Sequence, residues 1–271
     1  MRRSERIAAI TRILTNNPHR LFPLKYFTKK FDSAKSSISE DITIIKEVFK
    51  GQNLGLVETL AGAAGGVRYI PLYSKGDIED FVDDLCNKIA DPERLLPGDF
   101  LYMTDLIFTP ELVNKVGGIF ATYFAGEDPD YIITMETKGI PIAMMTARAF
   151  NVPLVTIRRS SKVTEGSVVS INYVSGSSRK IETMSLPRRA LPVGSKVIII
   201  DDFMKAGGTA RGMLDLMEEF EAEVLGLGVM MSTAEPEKKL VDDYISLLVL
   251  EDVDNMNNTI NVRPGDLPQG Q

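Results

Sequence analysis

The chain has 271 residues, of which 44% are hydrophobic and 25% charged, with one cysteine and one histidine. The length suits two globular domains. The lone Cys86 excludes an internal disulfide framework and fits a reducing cytoplasm, and the lone His19 excludes an imidazole-built zinc site and Ser-His-Asp hydrolysis within one chain. No apolar run reaches the roughly eighteen residues that a membrane helix needs, and no signal-peptide block opens the sequence. The net charge of −6 hides a division. Residues 1–75 carry 13 Lys/Arg against 6 Asp/Glu, and the remainder carries 18 against 31. Such an asymmetry predicts a polyanion-binding module joined to an acidic body.

In chain order, Ile7, Ile10, Ile13 and Leu14 predict a first amphipathic helix, with Arg6 and Arg12 on its outer side and Arg2 and Arg3 at its start. "PLKYFTKKF" predicts a short second helix, with Leu24 and Phe27 or Phe31 inward and Lys29 and Lys30 outward. Ile38, Ile42, Ile45 and Phe49 then form one stripe of a third helix. Ser37 followed by Glu40 fits a capping box that would start this helix at Ser37. "LGLVETL" and "VRYIP" flank the tip "AGAAGG", a strand pair with Arg68 on its return arm. Three helices and a wing, with net positive charge, predict a winged helix-turn-helix on double-stranded DNA over residues 1–74. The expected DNA-binding residues are Arg2, Arg3, Arg6, Lys35, Ser36, Ser37, Ser39 and Arg68. Glu40 and Asp41 would repel phosphates, so they are expected to face the helix N-terminus or the protein.

Residues 75–271 read as a second domain of α/β class. A helix with Ile78, Phe81, Val82, Leu85 and Ile89 inward comes first, and Thr109–Pro110 open another in an N-cap/N1 arrangement. "YIITM", "PLVTIRR", "KVIII", "VLGLGVMM" and "YISLLVL" then read as strands, interleaved with helices at "PIAMMTARAF" and "TARGMLDLMEEF". This alternation predicts a mostly parallel sheet with helices on both faces, and a site beyond the carboxyl ends of its strands. The loops "ETKG", "RRSSK" and "DDFMKAGG" all fall there. Residues 160–190 break the pattern and read as a β-hairpin excursion, a candidate flap.

Asp201 and Asp202 accept hydrogen bonds and donate none, which suits the vicinal hydroxyls of a ribose. The following Lys205, Ala206, Gly207, Gly208 and Thr209 supply converging amides, a cation and a helix N-terminus for a phosphate. Neither GxxxxGK[ST] nor GxGxxG is present.

"VIIIDDFMKAGGT" resembles the phosphoribosyl-pyrophosphate (PRPP) signature of type I phosphoribosyltransferases. The resemblance implies that the acids bind the ribose hydroxyls and the loop binds the 5′-phosphate. It implies that Thr137, Lys138 and Gly139 of "ETKGIP" bind the pyrophosphate, and that Arg158, Arg159 and Lys162 supply cations. Ala206 stands where that family commonly has a hydroxyl residue, which removes one phosphate donor. Across nearly the whole chain, "AKSSISED", "AGAAGGVRYIP", "TKGIP" and "DDFMKAGGT" together resemble the purine operon regulators of Gram-positive bacteria. That resemblance implies a homodimer that binds purine-gene operators and senses PRPP without catalysis. No catalytic residue, protein-bound metal or required cofactor is then expected, and Mg²⁺ enters only as a companion of PRPP. The competing reading is an active purine phosphoribosyltransferase with a nucleic-acid-binding front. Under either reading no membrane partner is expected.

Overall fold

The computed structural model describes residues 1–62, 64–98, 100–160, 166–174 and 180–267. It divides into two compact units, Met1–Ser74 with Arg148–Asn151, and Lys75–Ala147 with Val152–Gln271.

The first unit builds three helices, α1 (Arg3–Asn16), α2 (Leu24–Phe31) and α3 (Lys35–Gly51), and then the antiparallel pair β1 (Leu56–Leu60) and β2 (Gly66–Ile70). Ile10 and Leu14, Phe27 and Phe31, Ile38, Ile42, Ile45 and Phe49 meet Val57 and Val67 in one core. Each helix thus buries the stripe that its spacing predicts. Both phenylalanines of α2 are buried, while Leu24 is only partly so. Asp32 takes the left-handed conformation that ends α2 and turns the chain into α3. α3 begins two residues before the expected Ser37: Ala34 is its N-cap, and no side chain caps it. Lys35, Ser36 and Ser37 therefore form the first turn, where backbone N–H groups lack intrahelical partners. Phe22 exchanges two backbone hydrogen bonds with Val67 and adds a short third rung to the wing.

In the second unit α4 (Lys75–Ile89) buries Ile78, Val82, Leu85 and Ile89. A small pair, β3 (Leu95–Leu96) and β4 (Phe100–Leu101), leads to α5 (Thr104–Ile107) and α6 (Pro110–Tyr123). α6 starts with Pro110 at N1 after Thr109, as predicted, but the Thr109 hydroxyl bonds back to the Asp105 carbonyl and does not cap the helix. The main elements follow as β5 (Tyr131–Met135), α7 (Gly139–Phe150), β6 (Leu154–Ile157), β7 (Val168–Val174), β8 (Ile181–Pro187), β9 (Lys196–Met204), α8 (Gly208–Glu219), β10 (Glu223–Thr233), β11 (Ile245–Asp254) and β12 (Thr259–Pro264).

Six of these strands form one sheet in the order β12-β11-β10-β9-β5-β6. All neighbours are parallel except β11 and β12. Parallel strands must be covered on both faces. One face carries Ile133, Val197, Ile199 and Val229 against Met213, Leu216 and Met217 of α8 and against Tyr173 and Met184 of the hairpin. On the other face Phe120 of α6 and Phe124 at its C-cap fill the space over Gly228 and Gly226. The excursion is indeed a hairpin: β7 and β8 pair in unbroken register from Val168↔Pro187 to Val174↔Ile181. No helix is long and apolar enough to cross a membrane among the described residues.

Candidate functional site

Sheet order reverses between β5 and β9, since β5 continues to β6 on one side and β9 to β10 and β11 on the other. Ligands of open α/β sheets bind at such a point, beyond the carboxyl ends of the strands. Asp201 and Asp202 lie there, but inside β9, which runs on to Met204; the sequence reading ended this strand at Ile200. Pairing of Asp201 with Val229 and of Met204 with Ser232 carries the ladder past both acids.

Asp201 is only 8% exposed, and one carboxylate oxygen accepts the Asp202 amide at 3.1 Å. Burial raises its pKa well above the ordinary carboxylate range, and the charge of Asp202 pushes in the same direction. Burial also raises Asp202, opposed in part by the hydrogen bond from Asp201 and by the positive charge of Lys138. The turn after β5 is thereby placed beside the acids. Gly139 opens α7 against Asp201 so closely that a Cβ there would lie 2.7 Å from the Asp201 Oδ1 and 2.4 Å from the Thr134 Oγ1. The Glu136–Thr137 peptide of this turn is cis.

Beyond the acids, Lys205, Ala206 and Gly207 form the loop, and α8 starts at Gly208, one residue before the expected Thr209. Gly207 has φ +82°, a conformation that L side chains rarely adopt. A cavity of about 80 Å³ is lined by Asp201, Phe203–Ala210 and Val229. The first amides of the twelve-residue α8, with the positive end of its dipole, serve this cavity. The loop and the Asp201 carboxylate therefore line one concave surface.

Arg158 and Arg159 follow β6 directly. Arg158 exchanges two backbone hydrogen bonds with Ser185 of β8, at 3.1 and 2.7 Å. The Arg159 amide donates to Glu136 at 2.8 Å, and its guanidinium pairs with Glu182 of β8 at 3.4 Å. Its charge also acts on Asp201, partly offsetting the upward shift. Tyr173 of β7 donates to the same Glu182 at 2.9 Å. Tyr173 and Glu182 are site neighbours that the sequence reading missed; their only signal was the alternation of the hairpin. Lys162 lies outside the described residues.

In the first unit Lys35, Ser36 and Ser39 are exposed along one edge of α3, with Ser37 half-buried beside them. Arg2 is exposed, and its backbone amide donates to Glu5 at 2.9 Å. Arg6 requires correction. It is buried at 9% exposure, not directed outward, and its Nε donates to Asp41 at 2.5 Å. Asp41 is fully buried and also accepts from Arg3 at 3.2 Å, while Arg3 reaches Glu40 at 3.2 Å. Arg68 is paired with Glu58 across the wing. Arg6 is therefore an internal counter-ion, and Arg3 and Arg68 carry partly neutralised charge.

Residues 2–71 match the family described as "Bacterial purine repressor, N-terminal", and residues 104–268 match the phosphoribosyl transferase domain family. The chain is 49% identical to the purine biosynthesis transcriptional repressor PurR of Bacillus subtilis (strain 168), over 98% of this chain and 93% of that one. The chain belongs to the PurR family. Another PurR, the purine biosynthesis transcriptional activator of Lactococcus lactis subsp. lactis, is 39% identical over 98% of both chains. The family name thus covers proteins named as repressors and as activators. Adenine phosphoribosyltransferase from Thermoanaerobacter pseudethanolicus shares the fold of the second unit, with a TM-score of 0.53 and 20% identity over 61% of this chain and 98% of that one. The PurR assignment accounts for both halves of the charge division: a basic DNA-directed unit, and an acidic unit on a phosphoribosyltransferase fold.

Proposed function

We propose that this chain is a DNA-binding transcriptional regulator of purine biosynthesis genes whose second unit binds PRPP without turning it over. The observation that carries the effector half is the cavity in which Asp201, with Asp202 next to it on β9, stands beside the Lys205–Thr209 loop and the N-terminus of α8. In this reading the carboxylates accept the ribose 2′- and 3′-hydroxyls, and the loop amides and helix dipole hold the 5′-phosphate. Thr137, Lys138 and Gly139 hold the pyrophosphate, with Arg159 drawn toward it from Glu182. No cofactor is required, and Mg²⁺ arrives only with the ligand. The protein acts as a homodimer on paired operator half-sites, in the cytoplasm.

Ala206 supports binding without catalysis, since it offers no hydroxyl to the phosphate site. The test pairs two measurements. Asp202→Ala should bind operator DNA like the wild type, while its affinity no longer responds to PRPP. Incubation of the wild type with PRPP, Mg²⁺ and each purine base should release no pyrophosphate. Operator binding by Asp202→Ala that still shifts with PRPP would remove the site, and turnover would remove the non-catalytic assignment.

A further inference from the structure

The Lys205–Gly207 loop packs against the segment that follows β10. β10 ends at Thr233, and the chain then passes through residues 234–241 against the loop. The Leu240 amide donates to the Ala206 carbonyl at 2.9 Å. The Thr233 hydroxyl lies 3.1 Å from the Lys205 carbonyl and 2.6 Å from that of Glu235, and its single proton serves one or the other. A Cβ on Gly207 would lie 3.2 Å from the Leu240 nitrogen and 3.3 Å from Val241, so loop and segment are in direct contact.

At the root of this segment is Lys239. It is 8% exposed, and its ammonium donates to the Thr233 carbonyl at 2.7 Å and to the Thr233 hydroxyl at 3.2 Å. Among the described residues no carboxylate lies within 4 Å of it. A buried ammonium without a close counter-ion is costly. Burial lowers its pKa accordingly. A hydrocarbon side chain would fill the same space without that cost, so the charge calls for an explanation.

Peptide geometry supplies one. In a trans peptide the carbonyl and the following N–H point in opposite directions. Holding back the Lys205 and Ala206 carbonyls therefore aims the Ala206 and Gly207 amides at the opposite side, into the cavity. We infer that Lys239 is a positioning residue for the phosphate site: it fixes the Thr233–Leu240 segment, which keeps the loop carbonyls turned away and the loop amides turned toward a 5′-phosphate. Its positive charge, offset only in part by Glu235, also sits two hydrogen bonds behind the loop, where it favours an anion.

This inference rests on the proposed ligand site, and the experiment separates the two. Calorimetry on the full chain uses PRPP and two partial probes, ribose 5-phosphate for the loop and pyrophosphate for the turn at Thr137–Gly139. Lys239→Met keeps the aliphatic stem and removes the ammonium. It should weaken ribose 5-phosphate and PRPP by roughly tenfold and leave pyrophosphate unchanged. Thr233→Val, which removes the relay hydroxyl at constant shape, should produce the same selective loss, and it decides the matter if Lys239→Met does not fold. Unchanged ribose 5-phosphate affinity in a folded variant, or equal loss for both partial probes, overturns the inference and leaves the ligand site standing. A wild-type chain that binds none of the three overturns the ligand site and this inference together.

Discussion

Asp201, the acid proposed to bind the ribose, sits where burial works against its charge. Its carboxyl is buried beside a second acid, and both effects favour the protonated form. A carboxyl whose folded pKa lies above its unfolded value adds stability below the ordinary carboxylate range, and that stability is lost as pH rises through the folded value. At neutral pH the raised carboxyl therefore costs stability. Asp201→Asn should raise the thermal midpoint at pH 7 and narrow the gap to the wild type as pH falls, while the PRPP response disappears; melting curves across a pH series check the sign. PRPP affinity should itself fall as pH is lowered through the titration of the pair, because a protonated carboxyl accepts fewer hydroxyl protons. Gly139 is the complementary case. Gly139→Ala drives a methyl group into Thr134 and Asp201. Overpacking of this kind costs about 1–3 kcal/mol, so the midpoint should drop and calorimetry should show PRPP binding lost.

At the scale of elements, the first unit is held by a clamp between α1 and α3. The buried Asp41 receives Arg6 and Arg3 and ties the two helices at their N-terminal ends. Lys35 and Arg6 should accordingly behave differently. Lys35→Ala should weaken operator binding and reduce the slope of log affinity against log salt by about 1, as expected for a lost phosphate contact. Arg6→Ala should lower the thermal midpoint of the first unit and leave the salt slope unchanged; gel-shift titrations at several salt concentrations, with melting curves, separate the two roles. The clamp was legible in the sequence. Arg6 stands four residues before Ile10, itself four before Leu14, and Asp41 stands beside Ile42 and four before Ile45, so opposite charges occupy the buried stripes of two helices. Sorting by charge alone placed Arg6 outside. Helices with clear apolar stripes, the central strands and the hairpin were all readable from periodicity. The extension of β9 through two aspartates was not, because the ladder with β10 overrides the poor strand preference of Asp. β12 was missed too: it is an antiparallel edge strand with only Ile260 fully buried. Lys239 gave no local signal at all, since its connection to the phosphate loop spans more than thirty residues of sequence.

For the whole molecule, two units with separate cores must exchange free energy if PRPP is to govern DNA binding. Such coupling is typically about 1–3 kcal/mol, and it is reciprocal. If PRPP changes operator affinity by some factor, saturating operator DNA must change PRPP affinity by the same factor, roughly 5–150-fold, and two calorimetric titrations at one salt concentration check the equality. A mismatch would mean that the two ligands do not share a single two-state equilibrium. The direction of the response is a separate matter, since relatives of this chain are named as a repressor and as an activator. The reciprocal pair of backbone hydrogen bonds between Arg158 and Ser185 has a bearing on how occupancy could travel. Arg158 is the immediate neighbour of Arg159, the cation proposed to exchange Glu182 for the ligand, and its main chain is stitched to β8. A swing at position 159 thus pulls on a ribbon already sewn to the sheet, and deuterium uptake at the Ser185 amide is where filling of the pocket should first be felt.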